Sequence, residues 1–178
     1  MKLRVEDIKE KPVSLSAEEP VSDYPALTDL SSSGECDFTA PISIDLTALR
    51  ECDHIRVDGN VSTRVRMQCS RCLEEFERDI NSTFTLFCDK KSGVALDAET
   101  ELKEKDLISI LYQGDYIDFT SEIGEQLIME VPYKPLCREE CKGLCSKCAA
   151  NLNAGDCGCG LEGPSFKFGV LKNFKANK

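Results

Sequence analysis

Apolar and polar residues alternate most clearly between positions 38 and 86. Phe38, Ala40, Ile42, Ile44 and Leu46 share one parity, and Ile55, Val57, Val61, Val65 and Met67 share the next. Opposite that second set lie Arg56, Asp58, Asn60, Ser62, Arg64, Arg66 and Gln68. A period of two with one clean polar face predicts a long, half-buried strand. The pattern resumes with Phe76, Ile80, Phe84 and Leu86, so 55–69 and 75–88 are expected to form an antiparallel hairpin. Its tip would carry Cys69-Ser70-Arg71-Cys72.

The flanks are less regular. Leu3 and Val5 alternate with charged neighbours and predict a short first strand. Pro12, Pro20, Pro25 and the run Ser31–Gly34 then read as loops, with Tyr24 and Leu27 available to dock them on a core. Residues 89–106 read as a charged loop, followed by a short strand near Leu107–Tyr112 and a turn at Gly114-Asp115. Asp118 or Thr120 can cap a helix, and Glu122 suits its positive end. Ile123, Leu127, Ile128 and Val131 give that helix an apolar stripe, and Pro132 ends it. The expected fold class is α+β: an antiparallel, barrel-like sheet, one main helix and a C-terminal zinc-knuckle segment. The expected divisions are 1–35 (strand and loops), 36–135 (β-rich core with the helix) and 136–178 (cysteine-rich segment and basic tail).

Cysteine usage changes this picture from a fold to a chemistry. Six of the 11 cysteines fall between Cys137 and Cys159, and another pair stands at 69 and 72. Four close-spaced pairs result: 69/72, 137/141, 145/148 and 157/159. No apolar core uses thiols at this density. Eight thiolates match two tetrahedral Zn²⁺ sites, each built from two half-sites. Local loop closure favours 145/148 with 157/159, which leaves 69/72 with 137/141. The alternative joins the two Cys-x-x-Cys knuckles, 69/72 and 145/148. Closed Cys₄ sites have no open coordination position, so the zinc reading is structural. Cys36, Cys52 and Cys88 read as small packing residues, and His54, the single histidine, as a surface or packing residue.

Net charge is −10, and two Cys₄ zinc centres would add about −2 each. This argues against a grip on nucleic acid spread over the whole surface. Acidic residues enter by Glu6 without an apolar run behind them, and no stretch approaches the roughly 20 apolar residues of a membrane span. A soluble, cytoplasmic protein with reduced thiols is expected, with no membrane partner and no small-molecule substrate. Arg71, Arg138, Lys142 and Lys147 lie in or beside the knuckles. They either offset the zinc–thiolate charge or address a partner. The ending carries Phe166, Lys167, Lys172 and Lys175 in a stretch without acids, able to stack on RNA or to pack on the sheet. With no phosphate loop and no nucleophile elbow, no enzymatic role is expected. A rival reading is a zinc- or redox-responsive regulator whose cysteine clusters switch on metal loss.

These residues resemble a known family. The carriers are the Cys-Ser-Arg-Cys-Leu-Glu knuckle after a long strand and the segment Ile117–Ile128. Val131–Cys137, Cys141–Cys148, Asn151-Leu152-Asn153 and Cys157-Gly158-Cys159 follow, then the ending Phe166–Lys175. Together they are similar to the YceD-type large ribosomal RNA subunit accumulation proteins. The resemblance implies a bacterial-type protein, also found in chloroplasts, needed for normal accumulation of large-subunit ribosomal RNA. Its implied partners are the large-subunit ribosomal RNA precursor or a large-subunit ribosomal protein, in ribosome biogenesis. One departure stands out: Ala149 occupies the position after Cys148 where a knuckle glycine is expected.

Overall fold

The computed structural model describes residues 1–52, 54–91 and 109–159. Its element order is β1 (Lys2–Arg4), β2 (Val13–Glu19), α1 (Pro25–Ser32), β3 (Cys36–Phe38), β4 (Ile42–Glu51), β5 (His54–Gln68), β6 (Glu75–Lys90), β7 (Ser109–Tyr112), β8 (Tyr116–Asp118) and α2 (Thr120–Glu130). The class is α+β. The main sheet runs β2-β4-β5-β6-β7, with β3 pairing β5 beyond the end of β4, and β1 and β8 form a separate two-stranded sheet.

The β5–β6 hairpin forms as the alternation predicts. Its register runs from Ile55 opposite Cys88 to Gln68 opposite Glu75 without interruption. Ile55, Val57, Val61, Val65 and Met67 all point into the core and are buried. A slip of one residue would expose all five at once, which fixes the register. On the other face Arg64 pairs with Asp79 and Arg66 with Glu77, so that strip is neutralised across the strands. Gly59 breaks the row of side chains because the Phe84 ring of the facing strand fills the space a Cβ would need.

Three expectations are corrected. The main sheet is open, with β2 and β7 at its edges among the described residues, and not closed as a barrel. It is not wholly antiparallel: β7 runs parallel to β6, because the chain leaves the end of β6 and returns alongside it in the same direction. Among the described residues there are two α-helices. Pro25, read as a loop marker, is the first residue of α1, where its missing N–H costs nothing. The segment before it also holds β2, antiparallel to β4. Leu3, Ile8, Tyr24 and Leu27 join the single main core with β4, β5 and α2.

At the start of α2, Asp118 accepts hydrogen bonds from the N–H and hydroxyl of Thr120, at 3.0 and 2.6 Å. From the end of β8, one residue ahead of the N-cap Phe119, it satisfies the first N–H of the helix. Ile123 and Leu127 are buried, and the helix stops at Glu130 ahead of Pro132. No helix among the described residues is long and apolar enough to cross a membrane.

Candidate metal centres

The hairpin tip is a tight turn with a strained link. Leu73 N–H donates to the Cys69 carbonyl at 2.9 Å, and Cys69 N–H to the Glu74 carbonyl at 2.9 Å. This turn needs a left-handed residue after the second cysteine, and Leu73 supplies it at φ 60°. The second knuckle repeats the arrangement. Ala149 N–H donates to the Cys145 carbonyl at 2.9 Å and Cys145 N–H to the Ala150 carbonyl at 2.8 Å, with Ala149 at φ 56°. The missing knuckle glycine is therefore a position of backbone strain that alanine tolerates.

The fold then gathers the four half-sites into two tetrads. Cys69, Cys72, Cys137 and Cys141 form one, and Cys145, Cys148, Cys157 and Cys159 the other; within each, the sulfurs lie within 4.8 Å of one another. This is the local pairing, and the knuckle-with-knuckle alternative is not what the geometry brings together. In the first tetrad the Cys69–Cys141 and Cys72–Cys137 sulfurs are 3.7 Å apart. A tetrahedron with metal–sulfur bonds of about 2.3 Å has edges of about 3.8 Å, whereas a disulfide would need about 2.05 Å. Both tetrads are thus positioned to hold a metal ion. The first is mostly buried and the second is more open, with Cys148 exposed.

The electrostatics of the thiols fit a cation. Burial raises Cys69, but the N–H groups of Cys137, Cys72 and Arg71 outweigh it and bring the thiol down to about 6. Cys72 goes the other way: the Glu74 N–H lowers it, yet burial and the sulfurs of Cys69, Cys141 and Cys137 lift it to about 12. In the second tetrad the N–H groups of Cys148 and Lys147 pull Cys145 down to about 6. The neighbouring sulfurs of Cys148 and Cys157 push Cys159 up to about 12. Four thiolates cannot coexist at these distances unless a positive ion sits among them.

Residues that the cysteine spacing does not reveal complete the first tetrad. Asn153 donates from Nδ2 to the Cys141 sulfur at 3.3 Å and accepts the Lys142 N–H on Oδ1 at 2.8 Å. Asn151 donates to Glu74 at 2.8 Å, just past the hairpin knuckle. Both asparagines belong to the loop between the half-sites of the second tetrad, so one loop closes one centre and supports the other. Gly143, at φ 72°, lets Leu144 N–H reach the Arg71 carbonyl at 3.1 Å; a Cβ there would lie 2.9 Å from that oxygen. The sequence signal for these residues was the paired asparagines flanking Leu152, which the cysteine count overshadowed.

The basic residues divide. Arg71 donates to the carbonyls of Glu139 and Cys141, at 3.4 and 2.9 Å, and clamps the hairpin tip to the segment after α2. Lys147 donates from Nζ to the Cys159 carbonyl at 3.2 Å. Arg138 and Lys142 are exposed. Phe166, Lys167, Lys172 and Lys175 lie outside the described residues. His54 takes no part in either tetrad; it faces Glu51 at 3.4 Å and packs edge-on against Phe87. Cys36 and Cys88 are buried packing residues, while Cys52, at φ 45°, is exposed in the β4–β5 turn and is therefore not the packing residue expected.

The described residues form an open-sheet α+β domain whose C-terminal segment is gathered by two cysteine tetrads, each positioned to hold a metal ion. Residues 57–175 match the family model described as large ribosomal RNA subunit accumulation protein YceD, and the chain belongs to that family. Among curated proteins it is similar to large ribosomal RNA subunit accumulation protein YCED homolog 1, chloroplastic, of Arabidopsis thaliana. The two are 26% identical over 156 residues, covering 76% of this chain and 49% of the relative. The Zea mays protein of the same name is 28% identical over 157 residues, covering 74% and 53%. An uncharacterized protein of Mycobacterium leprae is 28% identical over 117 residues, covering 65% and 51%. The chain thus spans about half the length of these relatives. No solved structure matches it.

Proposed function

We propose that this chain is a non-enzymatic, zinc-braced factor for large-subunit ribosomal RNA accumulation. It would act in the cytoplasm by contact with the large-subunit RNA precursor or with a protein of that subunit. The observation that carries the reading is the first tetrad. It fastens the tip of the longest hairpin to the segment leaving α2, within a chain whose family is defined by that RNA. Zinc is the metal of choice because four thiolates at tetrahedral spacing, in a site that needs no redox change, suit it best. The names of the plant relatives support the ribosomal assignment.

The test is gradient sedimentation of tagged protein from growing cells, with zinc assayed in the same fractions. Comigration with large-subunit precursors at about two zinc per chain is expected from eight thiolates. Zinc-loaded protein that stays at the top of the gradient overturns the ribosomal half, and absence of zinc overturns the metal half. The exposed Cys148 favours a second reading, a redox-responsive regulator. In that case zinc content should fall over a physiological oxidant range while sedimentation stays unchanged.

A further inference from the structure

The first tetrad does more than fasten two segments. It sets the walls of an open groove of about 940 Å³. One wall is the hairpin tip, from Met67 to Leu73; the other is the segment Val131–Leu136 that leads into Cys137. A hydrogen bond from Ser70 N–H to the Pro135 carbonyl, at 2.8 Å, joins the walls at their base. The end of α1 closes one side with Leu30, Gly34 and Glu35.

The groove presents apolar surface that nothing described covers. Tyr133 is 94% exposed and Leu73 is 54% exposed, two of the five large exposed apolar side chains among the described residues. Leu30, Ile128 and Val131 line the same groove, partly buried. Exposed apolar side chains converging on a concave surface mark an interaction site more often than scattered ones do.

The charge is sorted along the groove. At the α1 end it runs into a smaller groove of about 340 Å³, sharing Gly34, Glu35, Met67 and Gln68 with the first. There Glu35, Asp37 and Glu75 are exposed and carry no ion pair among the described residues, while Arg66 is already held by Glu77. At the opposite end stand Arg71, committed to two carbonyls, and Lys134. A nucleic acid lying along this path would set phosphates against three unpaired carboxylates. A polypeptide with an apolar anchor and adjoining Lys or Arg residues meets both parts of the surface favourably.

We infer that this groove is a docking site for a basic polypeptide segment of a partner protein, whose apolar side chain enters between Leu73 and Tyr133 and whose cations face Glu35, Asp37 and Glu75. The inference deepens the proposed function by choosing the protein contact over the RNA contact. The first tetrad borders the site, because the walls that hold the anchor are the two segments its cysteines bring together.

The test places a photo-crosslinking phenylalanine derivative at Leu73 or at Tyr133 in the full chain, in growing cells, with Tyr116 as an exposed control outside the groove. Adducts are mapped by mass spectrometry. The expected result is a polypeptide adduct from both groove positions, several-fold above the control, mapping to an apolar residue flanked by Lys or Arg. Glu35→Lys with Glu75→Lys should cut its yield several-fold while the melting temperature holds, because both side chains are exposed. The inference is overturned by adducts that ribonuclease removes, by adducts to residues 160–178 of the chain itself, or by yields equal to the control. It is overturned equally by adducts that the charge reversal leaves unchanged. A groove adduct on protein that carries no zinc would uphold the docking site and sink the metal reading alone. A groove adduct to a protein unrelated to the ribosome would uphold the docking site and sink the ribosomal reading.

Discussion

Replacing Asn153 with alanine isolates the support that the second cysteine loop gives to the first tetrad. The change removes two side-chain hydrogen bonds and leaves the backbone N–H that Asn153 donates to Asn151 Oδ1, at 2.9 Å. One lost bond runs to the Cys141 sulfur at 3.3 Å; a bond to a charged acceptor contributes about 1.5–3 kcal/mol. The other accepts the Lys142 N–H, which sits at an exposed residue and finds water instead, so its loss costs well under about 1 kcal/mol. The sum is about 2 kcal/mol, or roughly a 30-fold loss of metal affinity. That lies within the ~10- to 100-fold range for partners behind metal ligands. Asn153→Asp keeps the acceptor for Lys142 but turns a second anion toward the thiolate, and should weaken the centre at least as much. The assay is a graded chelator titration, alkylation of the released thiols, and peptide mapping. Cys69, Cys72, Cys137 and Cys141 should be released at lower chelator concentration than in the parent, while Cys145, Cys148, Cys157 and Cys159 keep their order. Unchanged release of the first group, or equal weakening of both, would refute the reasoning.

Other perturbations test neighbouring steps. Gly143→Ala forces a left-handed alanine and sets its Cβ against the Arg71 carbonyl, so a loss of about 2–3 kcal/mol is expected in chemical denaturation of the metal-loaded protein. An unchanged midpoint would remove the claimed close approach. Ala149→Gly relieves the strain at φ 56°, offset by greater freedom in the unfolded chain, and should stabilise by about 0.5 kcal/mol; a destabilised variant would contradict that account. Metal binding at neutral pH should expel protons from Cys72 and Cys137 in the first tetrad and from Cys157 and Cys159 in the second. All four thiols are raised above their ordinary value. Cys69 and Cys145, depressed to about 6, hold protons only in more acid solution. Affinity should therefore fall as pH drops, steeply while the raised thiols must be stripped and more steeply again once Cys69 and Cys145 protonate below about 6. Titration calorimetry in buffers of different ionisation enthalpy reads the proton count, and a pH-independent affinity would refute it. Exposed Arg64→Ala should cost less than about 1 kcal/mol, since its pair with Asp79 is open to solvent.

How far the sequence was legible follows from the range of the forces involved. The β5–β6 hairpin was readable because strand pairing of adjacent segments is local and its burial follows a strict period of two, from Ile55 to Met67. The tetrads were readable because cysteine pairs two to four residues apart can only do a few things. The N-terminal elements were not. In β2 the inward residues are Val13, Leu15, Ala17 and Glu19, all half-buried, and that weak alternation was lost among prolines. Helix α1 has eight residues and one fully buried contact, Leu27, so its existence rests on packing against α2 rather than on its own pattern. The parallel pairing of β7 depends on a crossover that no short window of sequence contains. Asn151 and Asn153 figure in the sequence only as part of the family resemblance; their role was not legible because it is set by Glu74 and Cys141, which lie outside their own loop.

The two tetrads also set a timetable for synthesis. Cys72 and Cys137 are 65 residues apart, so the thiols of the hairpin tip are made long before their partners. The loop from Cys148 to Cys157 is shorter by about three doublings, a closure advantage of roughly 2 kcal/mol. On a growing chain the hairpin knuckle must wait, half-assembled, while α2 and the later cysteines are translated. The second centre can then close almost as soon as its last cysteine emerges. The first tetrad has its last ligand, Cys141, before the second has its first, Cys145, so the two centres can close in the order in which they are made. An oxidant or a competing metal would find its best target in Cys69 and Cys72 during that interval, rather than in the finished protein.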